Sequence, residues 1–107
     1  MARALRVQYP GAVYHVSVRG NARQAIFKDA RDRQRFLLRL SETVEQYAVR
    51  LHTFCLMTNH AHLVLATPRA NLDRCLQSLI GGYATYFNLR HHRAGHLLIY
   101  GGNGGGP

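Results

Sequence analysis

The sequence predicts an α+β domain in which two helices cover one face of an antiparallel sheet. Two observations lead to this prediction. Three segments of seven or eight residues have the composition of strands, and two longer segments repeat apolar residues every three to four positions. Their order is strand, helix, strand, strand, helix, which is that of a ferredoxin-like β-α-β-β-α sandwich. The length of 107 residues allows one such domain and excludes two.

The first strand is predicted over residues 12–19, AVYHVSVR, because apolar and polar residues alternate there. Gly20-Asn21 then provide a turn signal, and a basic loop carrying Arg23 follows. The alternation divides the strand into two faces, one apolar with Tyr14, Val16 and Val18 and the other polar with His15, Ser17 and Arg19.

Two helices are predicted from their caps and their apolar faces. Asp29 and Asn71 are good N-cap residues, and Asp32 adds negative charge to the first turn of the first helix. Gly81 and Gly82 fall inside the second helix, where each costs about 1 kcal/mol relative to Ala. They predict either a break or a closely packed neighbour. The apolar faces comprise Phe36, Leu37, Leu40, Val44, Tyr47 and Ala48 in the first helix and Leu72, Cys75, Leu76, Leu79, Tyr83 and Phe87 in the second.

The remaining segments define a hairpin and a C-terminal tail. Residues 51–57 and 60–66 are rich in apolar residues and lie on either side of a Thr-Asn pair, so we predict a hairpin. A fourth strand would complete the ferredoxin-like pattern, but the chain continues into a glycine-rich segment, and we expect this strand to be missing or degenerate. The predicted organisation is one domain over residues 1–98 and a flexible tail over residues 99–107.

The chain is strongly basic, with 14 Lys and Arg against 5 Asp and Glu and a formal net charge of +9. Such an excess favours a polyanionic partner, either nucleic acid or an anionic membrane surface. No apolar run is long enough to cross a bilayer, and the start of the chain lacks the apolar core of a signal peptide. We therefore expect a cytoplasmic protein in which Cys55 and Cys75 are buried thiols.

His60 and His62 carry the most information about chemistry. Side chains alternate along a strand, so the two imidazoles project from one face about 6.5–7 Å apart. That spacing suits two ligands of one divalent metal ion. It is also the spacing of two histidines on an exposed sheet surface, which is the commoner origin of so short a pattern, and the pair alone does not decide between the two.

Three longer runs carry a family resemblance when they are taken together. They are CLMTNHAHLVLATP, YPGAVYHVSVRGNARQAIF and GGYATYFNLRHHRAGHL. Over residues 3–97 the sequence resembles the REP-associated tyrosine transposases, which belong to the HUH single-tyrosine transposases of insertion sequences. In that family the three runs correspond to the metal-binding signature, the first strand with its basic turn, and the segment after the second helix.

The resemblance implies a DNA transposase domain that binds single-stranded or hairpin DNA. In the family, a Tyr hydroxyl attacks the scissile phosphate, which forms a 5′-phosphotyrosine and frees a 3′-OH, with help from Mg²⁺ or Mn²⁺. His60 and His62 match the two histidine ligands of that ion. His15 matches a recurrent family position, and we expect it to be structural or to support a ligand.

The sequence departs from the family pattern after Leu98, where the fourth strand, a helix with the nucleophilic Tyr and a third metal-binding side chain are expected. We interpret this as a C-terminal truncation, whether by mutation, frameshift or deliberate shortening, and expect catalysis to be lost or impaired. The catalytic residue is therefore unknown. Of the candidate substitutes, we expect Tyr83 in the core, Tyr86 to pack or to stack on DNA, and Tyr100 to lie on the mobile tail.

The net charge and the resemblance together favour phosphate contact by two polar clusters, one after the first strand and one after the second helix. Two alternative functions remain. An RNA-binding module of the same fold is disfavoured because the third strand, HAHLVLA, lacks aromatic residues. A regulatory remnant without a nucleic-acid role is disfavoured because it has no need of the basic charge. A homodimer is compatible with each of these functions. The expected DNA contacts are Arg19, Asn21, Arg23, Arg90, Arg93 and His96.

Overall fold

A computed structural model describes residues 10–106, with side chains up to residue 101. The described chain forms one antiparallel sheet of four strands, in the order β2-β3-β1-β4, and two long helices. This is the complete ferredoxin-like arrangement. The elements in chain order are β1 (Ala12–Gly20), a short 3₁₀ turn (Asn21–Arg23), α1 (Ala30–Gln46), β2 (Arg50–Leu56), β3 (His60–Thr67), α2 (Leu72–Arg90) and β4 (Leu98–Gly106).

Both helices pack on one face of the sheet, as predicted. Alternate residues of β1 and β3 point into a single apolar core, which they share with the buried faces of α1 and α2. The other residues of these strands form the opposite surface, which we call the helix-free face. Neither helix of the described chain is long and apolar enough to cross a membrane. The core residues of the two central strands are Ala12, Tyr14, Val16 and Val18 in β1 and Ala61, Leu63 and Leu65 in β3.

The fourth strand is present, so the expectation that it is missing or degenerate is wrong. The backbone of β4 pairs with β1 from Leu98, opposite Gly20, to Gly106, opposite Val13. Glycine disfavours a strand, but it keeps the N–H and C=O groups that a ladder needs, and the edge of β1 offers partners for them. The flexible tail predicted for residues 99–107 is therefore corrected for residues 99–106, and residue 107 lies outside the described residues.

The start of each helix has a different hydrogen-bond arrangement. Asp29 caps α1 as predicted, because its Oδ1 accepts from the Asp32 backbone N–H at 3.1 Å. Asn71 does not cap α2 with its side chain. Its Nδ2 donates instead to the Tyr47 carbonyl at 2.8 Å, which ties the start of α2 to the end of α1. The expectation for Asn71 is thus corrected: a tertiary partner replaces the local one.

The expectation of buried thiols is confirmed for Cys75 and wrong for Cys55. The pairing of β2 with β3 shifts between Leu51 and Thr53, so His52 is an extra residue on the edge strand. This bulge reverses the alternation of side chains beyond it, and Cys55 lies opposite His62 on the helix-free face, where it is exposed. Burial raises the pKa of the Cys75 thiol to about 11, as expected for a thiol in the core.

Candidate functional site

The candidate site lies on the helix-free face, where β1 and β3 run side by side. Arg19 is paired with His60 and Ser17 with His62 across this ladder. Paired residues of neighbouring strands point to the same side of the sheet, so these four side chains share one surface. Both histidines are half-buried there and remain accessible from solvent, which confirms the predicted face.

The two histidines are close enough to act together. Their ring centroids are 5.0 Å apart and the rings are nearly perpendicular, at 86°. Nδ1 of His60 contacts Oδ1 of Asn59 at 2.8 Å. Nδ1 of His62 lies 3.1 Å from Nε2 of His15, and these two rings stack at 5.1 Å with 19° between their planes. Each member of the pair thus uses Nδ1 for a contact within the protein, while Nε2 has no hydrogen bond in the described chain.

The surroundings of His62 favour its neutral form. Burial lowers the pKa of His62, and the charges of His60 and His15 lower it further. A neutral imidazole keeps the lone pair that binds a metal ion, whereas an imidazolium does not. The local electrostatics therefore suit a ligand at this position.

The histidine pair fits part of a metal site. Within residues 10–106, no group of three His, Cys, Asp or Glu side chains is arranged to hold a metal ion. Two imidazoles supply two nitrogen ligands, and Mg²⁺ or Mn²⁺ would take its remaining oxygen ligands from water or from a bound phosphate. The donor set is thus compatible with an ion that His60 and His62 hold weakly and that a phosphodiester helps to complete.

A tight turn brings basic residues next to this pair. The Gly20 N–H donates to the Asn59 carbonyl at 2.9 Å, which joins the end of β1 to the β2–β3 connection. A Cβ at Gly20 would lie 2.0 Å from the carbonyl oxygen of Gln24, so the approach requires glycine. The turn continues with left-handed φ angles of 56° at Ala22 and 61° at Arg23, a region that side chains disfavour.

Arg19 and Arg23 line the same depression as His60 as a result. Together with Asn59 and Ile99 they line one depression of the helix-free face. An adjoining depression is lined by residues of β1, β3 and β4, namely His15, Ser17, Arg19, His62, Ile99, Tyr100 and Gly101. Neither arginine has an ion-pair or hydrogen-bond partner among the described residues. Two guanidinium groups are therefore available beside the histidine pair.

The basic cluster after α2 makes several contacts within the protein. Arg90 contacts Asp29 at 2.6 Å and Asp32 at 2.7 Å, and His91 contacts Asp32 at 2.9 Å. The Arg90 hydrogen bond holds the pKa of Asp29 well below its usual range. Arg93 donates to Asn88 Oδ1 at 2.6 Å. The guanidinium of Arg90 therefore joins α2 to α1, and its charge is neutralised within the protein.

His96 and Asn21 complete the set of expected DNA contacts. His96 is exposed and lines a depression beside Gly81 and Ala84 of α2, away from the histidine pair. Asn21 lies in the turn after β1, where its backbone N–H donates to the Leu97 carbonyl at 2.8 Å. The structure thus brings together Arg19, Asn21 and Arg23 with His60. Of the second cluster, the backbone of His96 contacts this turn, where its carbonyl accepts from Gln24 Nε2 at 3.4 Å.

The candidate tyrosines all belong to the helix-side core or pack against it. Tyr83 is buried, as predicted, and its hydroxyl donates to the Ile26 carbonyl. The hydroxyl of Tyr86 donates to Asp32 Oδ1 at 2.8 Å, so this side chain packs within the protein. Tyr100 lies on β4 opposite Val18 and packs against the core, which corrects its expected place on a mobile tail.

Sequence reasoning missed one residue of the site, Asn59, and the shared partner of the second basic cluster, Asp32. Asn59 was assigned only to a turn, although it directly precedes His60 and contacts it. Asp32 was assigned only to the first turn of α1, whereas it is fully buried and accepts hydrogen bonds from several groups. The sequence does contain a signal for the partners of Asp32. A buried acidic residue at the start of an apolar helical face needs polar partners. Asp32 begins such a face, which continues with Phe36, Leu40 and Thr43.

The fold and this surface define a class of protein: an α+β domain whose open sheet face presents paired histidines beside unpaired arginines. The family described as "Transposase IS200 like" matches residues 8–102, and the chain belongs to this family. The predicted family membership is thereby confirmed. No curated protein matches the sequence.

Solved structures share the fold. The REP-associated tyrosine transposase bound to a REP hairpin has a TM-score of 0.75 at 10% identity, over 97% of this chain and 62% of that one. A candidate transposase from Deinococcus radiodurans R1 has a TM-score of 0.68 at 19% identity, over 96% of this chain and 83% of that one. At such identities the likeness establishes a common fold. The chain spans less than two thirds of the length of the hairpin-bound transposase.

Proposed function

We propose that this chain is a DNA transposase domain that binds single-stranded or hairpin DNA on its helix-free face. The observation that carries the proposal is the placement of two unpaired arginines, Arg19 and Arg23, in the same depression as His60. The net charge of +9 supports a polyanionic partner. The REP-associated tyrosine transposase of the same fold is bound to a REP hairpin, which favours DNA of that form as the partner.

Arg19 and Arg23 would neutralise phosphates of the bound strand, since a guanidinium offers paired donors to phosphate oxygens. Asn21 lies between them and adds a neutral donor. His60 and His62 would hold Mg²⁺ or Mn²⁺ next to the same phosphates, and this ion, when bound, supplies Lewis-acid polarisation of the phosphodiester. The chain's own contribution is to orient the DNA backbone against the two imidazoles.

The described part of the chain would bind DNA without supplying a nucleophile. All five tyrosines with described side chains belong to the helix-side core or pack against it, and Tyr100 also lines the depression that contains His62. The five tyrosines are Tyr14, Tyr47, Tyr83, Tyr86 and Tyr100. Strand cleavage through a phosphotyrosine requires a hydroxyl in line with the phosphate, and misplacement by about 1 Å can cost roughly 100-fold in rate.

Arg90 is left out of the proposed DNA contacts because Asp29 and Asp32 already neutralise its charge. Arg93 and His96 are left out for related reasons. The first donates to Asn88, and the second lies beside α2.

The test is fluorescence anisotropy of a labelled DNA hairpin in the presence of EDTA, with salt varied from about 50 to about 300 mM. If about five phosphates are neutralised, the slope of log affinity against log salt is about −3.5. The double variant Arg19→Ala/Arg23→Ala should reduce the slope to about −2, since about 0.7 is lost for each phosphate contact. Salt dependence unchanged in this variant would overturn the proposal.

The matched control is Arg69→Ala/Arg74→Ala, which removes the same charge near the far end of β3 and the start of α2. It should keep a slope close to that of the unmodified chain. An RNA hairpin of the same sequence serves as the competitor. Tighter binding of RNA than DNA would replace the proposal with the RNA-binding alternative.

A further inference from the structure

We infer that His15 is a positioning residue, which holds His62 in the tautomer that leaves Nε2 free to bind a divalent metal ion. This inference rests on the proposed function, because it concerns the same histidine pair. It is carried by one contact, the 3.1 Å approach of His15 Nε2 to His62 Nδ1, together with the stacking of the two rings.

His60 shows how such positioning works on the neighbouring ligand. An amide oxygen can only accept a hydrogen bond, so Nδ1 of His60 donates its proton to Oδ1 of Asn59. A neutral imidazole carries a single N–H, and Nε2 of His60 is then left with a lone pair. The hydrogen bond of one ring nitrogen thereby determines that the other is the metal ligand.

For His62 the partner is a second imidazole, which allows two arrangements. When Nδ1 of His62 donates to Nε2 of His15, Nε2 of His62 keeps its lone pair and can bind a metal ion. When Nδ1 of His62 accepts instead, Nε2 carries the proton and cannot. Metal binding therefore selects the first arrangement, in which His15 is protonated at Nδ1 and acts as the acceptor. Both ligands then present Nε2.

His15 contacts His62 through its side chain, because the two residues are not paired with each other in the β1–β3 ladder. His15 is paired with Val64 and His62 with Ser17, so the two histidines are diagonal neighbours on β1 and β3. The rings stack at 5.1 Å with 19° between their planes, which restricts the rotation of the His62 ring. Ser17 lies directly opposite His62 and makes no hydrogen bond to it within the described chain.

The experiment measures Mn²⁺ binding to the full chain by electron paramagnetic resonance of the free ion, without DNA. His15→Phe keeps an aromatic ring and removes the acceptor, and we expect it to weaken Mn²⁺ binding by about tenfold, the usual size for loss of a group that supports a ligand. His15→Gln restores an acceptor oxygen, and its affinity should return to within about threefold of the unmodified chain. Ser41→Ala, at an exposed position of α1, should leave the affinity unchanged.

A second measurement separates positioning from a general structural role. Long-range ¹⁵N–¹H spectra of the imidazoles report which nitrogen carries the proton. In the unmodified chain with diamagnetic Mg²⁺ in excess, His62 should be protonated at Nδ1, and His15→Phe should shift it towards the Nε2–H form. A loss of thermal stability with no change of tautomer would overturn the inference.

The double variant His60→Ala/His62→Ala distinguishes failure of the inference from failure of the proposed metal site. If it binds Mn²⁺ as well as the unmodified chain, the metal site itself is wrong. If it loses binding while His15→Phe retains full affinity, the metal site stands and the role of His15 is overturned. Loss of affinity in His15→Phe, with recovery in His15→Gln, supports both.

Discussion

Gly82 of α2 and Arg39 of α1 are in direct contact where the two helices pack together. A Cβ added to Gly82 would lie 2.3 Å from Nε of Arg39. The guanidinium is held in place, because it donates to the Ser78 carbonyl at 3.0 and 3.3 Å and to the Ser78 hydroxyl at 2.8 Å. Gly81 is different, since a Cβ there would meet nothing within 4 Å. The helix therefore continues through both glycines, and of the two only Gly82 has a close neighbour.

These two glycines should respond in opposite directions to substitution by alanine. Gly81→Ala should raise the free energy of unfolding by about 1 kcal/mol, the gain in helix propensity. Gly82→Ala should lower it by about 1 kcal/mol, because displacement of Arg39 breaks hydrogen bonds worth more than the propensity gain. Urea denaturation of both variants measures the difference. Equal stabilisation by the two substitutions would contradict the close contact.

Asp32 should be among the most important polar residues for stability. Its carboxylate is fully buried and accepts from the Lys28 N–H at 2.9 Å and the Tyr86 hydroxyl at 2.8 Å, besides its contacts with Arg90 and His91. Asp32→Ala removes the acceptor that these groups share, and we expect the free energy of unfolding to fall by about 3 kcal/mol.

The control for Asp32 is Glu42, an exposed carboxylate 3.9 Å from Arg39. Exposed ion pairs contribute little, so Glu42→Ala should change the free energy of unfolding by less than about 0.5 kcal/mol. Chemical denaturation at neutral pH compares the two variants. Similar small effects for both would show that the Asp32 cluster does not stabilise the fold.

The same cluster should make stability depend on pH in the acid range. Hydrogen bonding and charge from Arg90 lower the pKa of Asp29. Burial raises the pKa of Asp32, but hydrogen bonds from Lys28, Tyr86 and Arg90 outweigh it, and the net pKa is lowered. The unfolded chain, with carboxyl pKa values near 3.9, binds more protons than the folded chain in this range. Stability is therefore fully present above about pH 5 and declines as the pH falls below about 4.

Urea unfolding between about pH 6 and about pH 2.5 would show this decline. In Asp32→Asn the side chain no longer titrates, so the curve should be shallower over the same interval. A free energy of unfolding that is constant from about pH 5 to about pH 3 would contradict the assignment of lowered pKa values.

The tyrosines of the described chain should not form a covalent intermediate with DNA. A labelled hairpin incubated with Mg²⁺ or Mn²⁺ and analysed by denaturing gel should show no protein–DNA adduct with the unmodified chain or with Tyr86→Phe or Tyr100→Phe. Tyr86→Phe should still lower the free energy of unfolding by about 1 kcal/mol, since its hydroxyl is lost as a partner of Asp32. An adduct that disappears in one of the two variants would identify a nucleophile.

Local patterns in the sequence account for most of the fold. Alternation over residues 12–19 and the 3–4 periodicity of the two helices are properties of neighbouring residues, so they predict the elements directly. The fourth strand could not be predicted in this way. The glycines of β4 have low strand propensity, and their pairing depends on the free edge of β1, which lies far earlier in the chain.

The candidate site was predictable only in part for the same reason. The two-residue spacing of His60 and His62 determines that they share a face, whatever surrounds them. The ion pairs of Arg90 depend on Asp29 and Asp32, which are distant from it in sequence. No local pattern indicates that this arginine is neutralised while Arg23 is not. The side of the sheet on which Cys55 lies depended on one extra residue in β2.

Gly101 should control access of DNA to the histidine pair. It lies opposite Ser17 on β4 and lines the depression that contains His15 and His62, and a Cβ there would meet nothing within 4 Å. Gly101→Leu should therefore fill the depression without disturbing the fold, and the smaller loss of backbone entropy on folding should stabilise the strand by about 0.5 kcal/mol. We expect hairpin affinity at low salt to fall by about tenfold, equivalent to about 1.4 kcal/mol.

Gly81→Leu, the control for Gly101→Leu, adds the same side chain on α2 and should leave the affinity unchanged. Anisotropy titrations, with thermal unfolding as the check on folding, compare the two, and equal affinities would show that bound DNA does not occupy this part of the helix-free face.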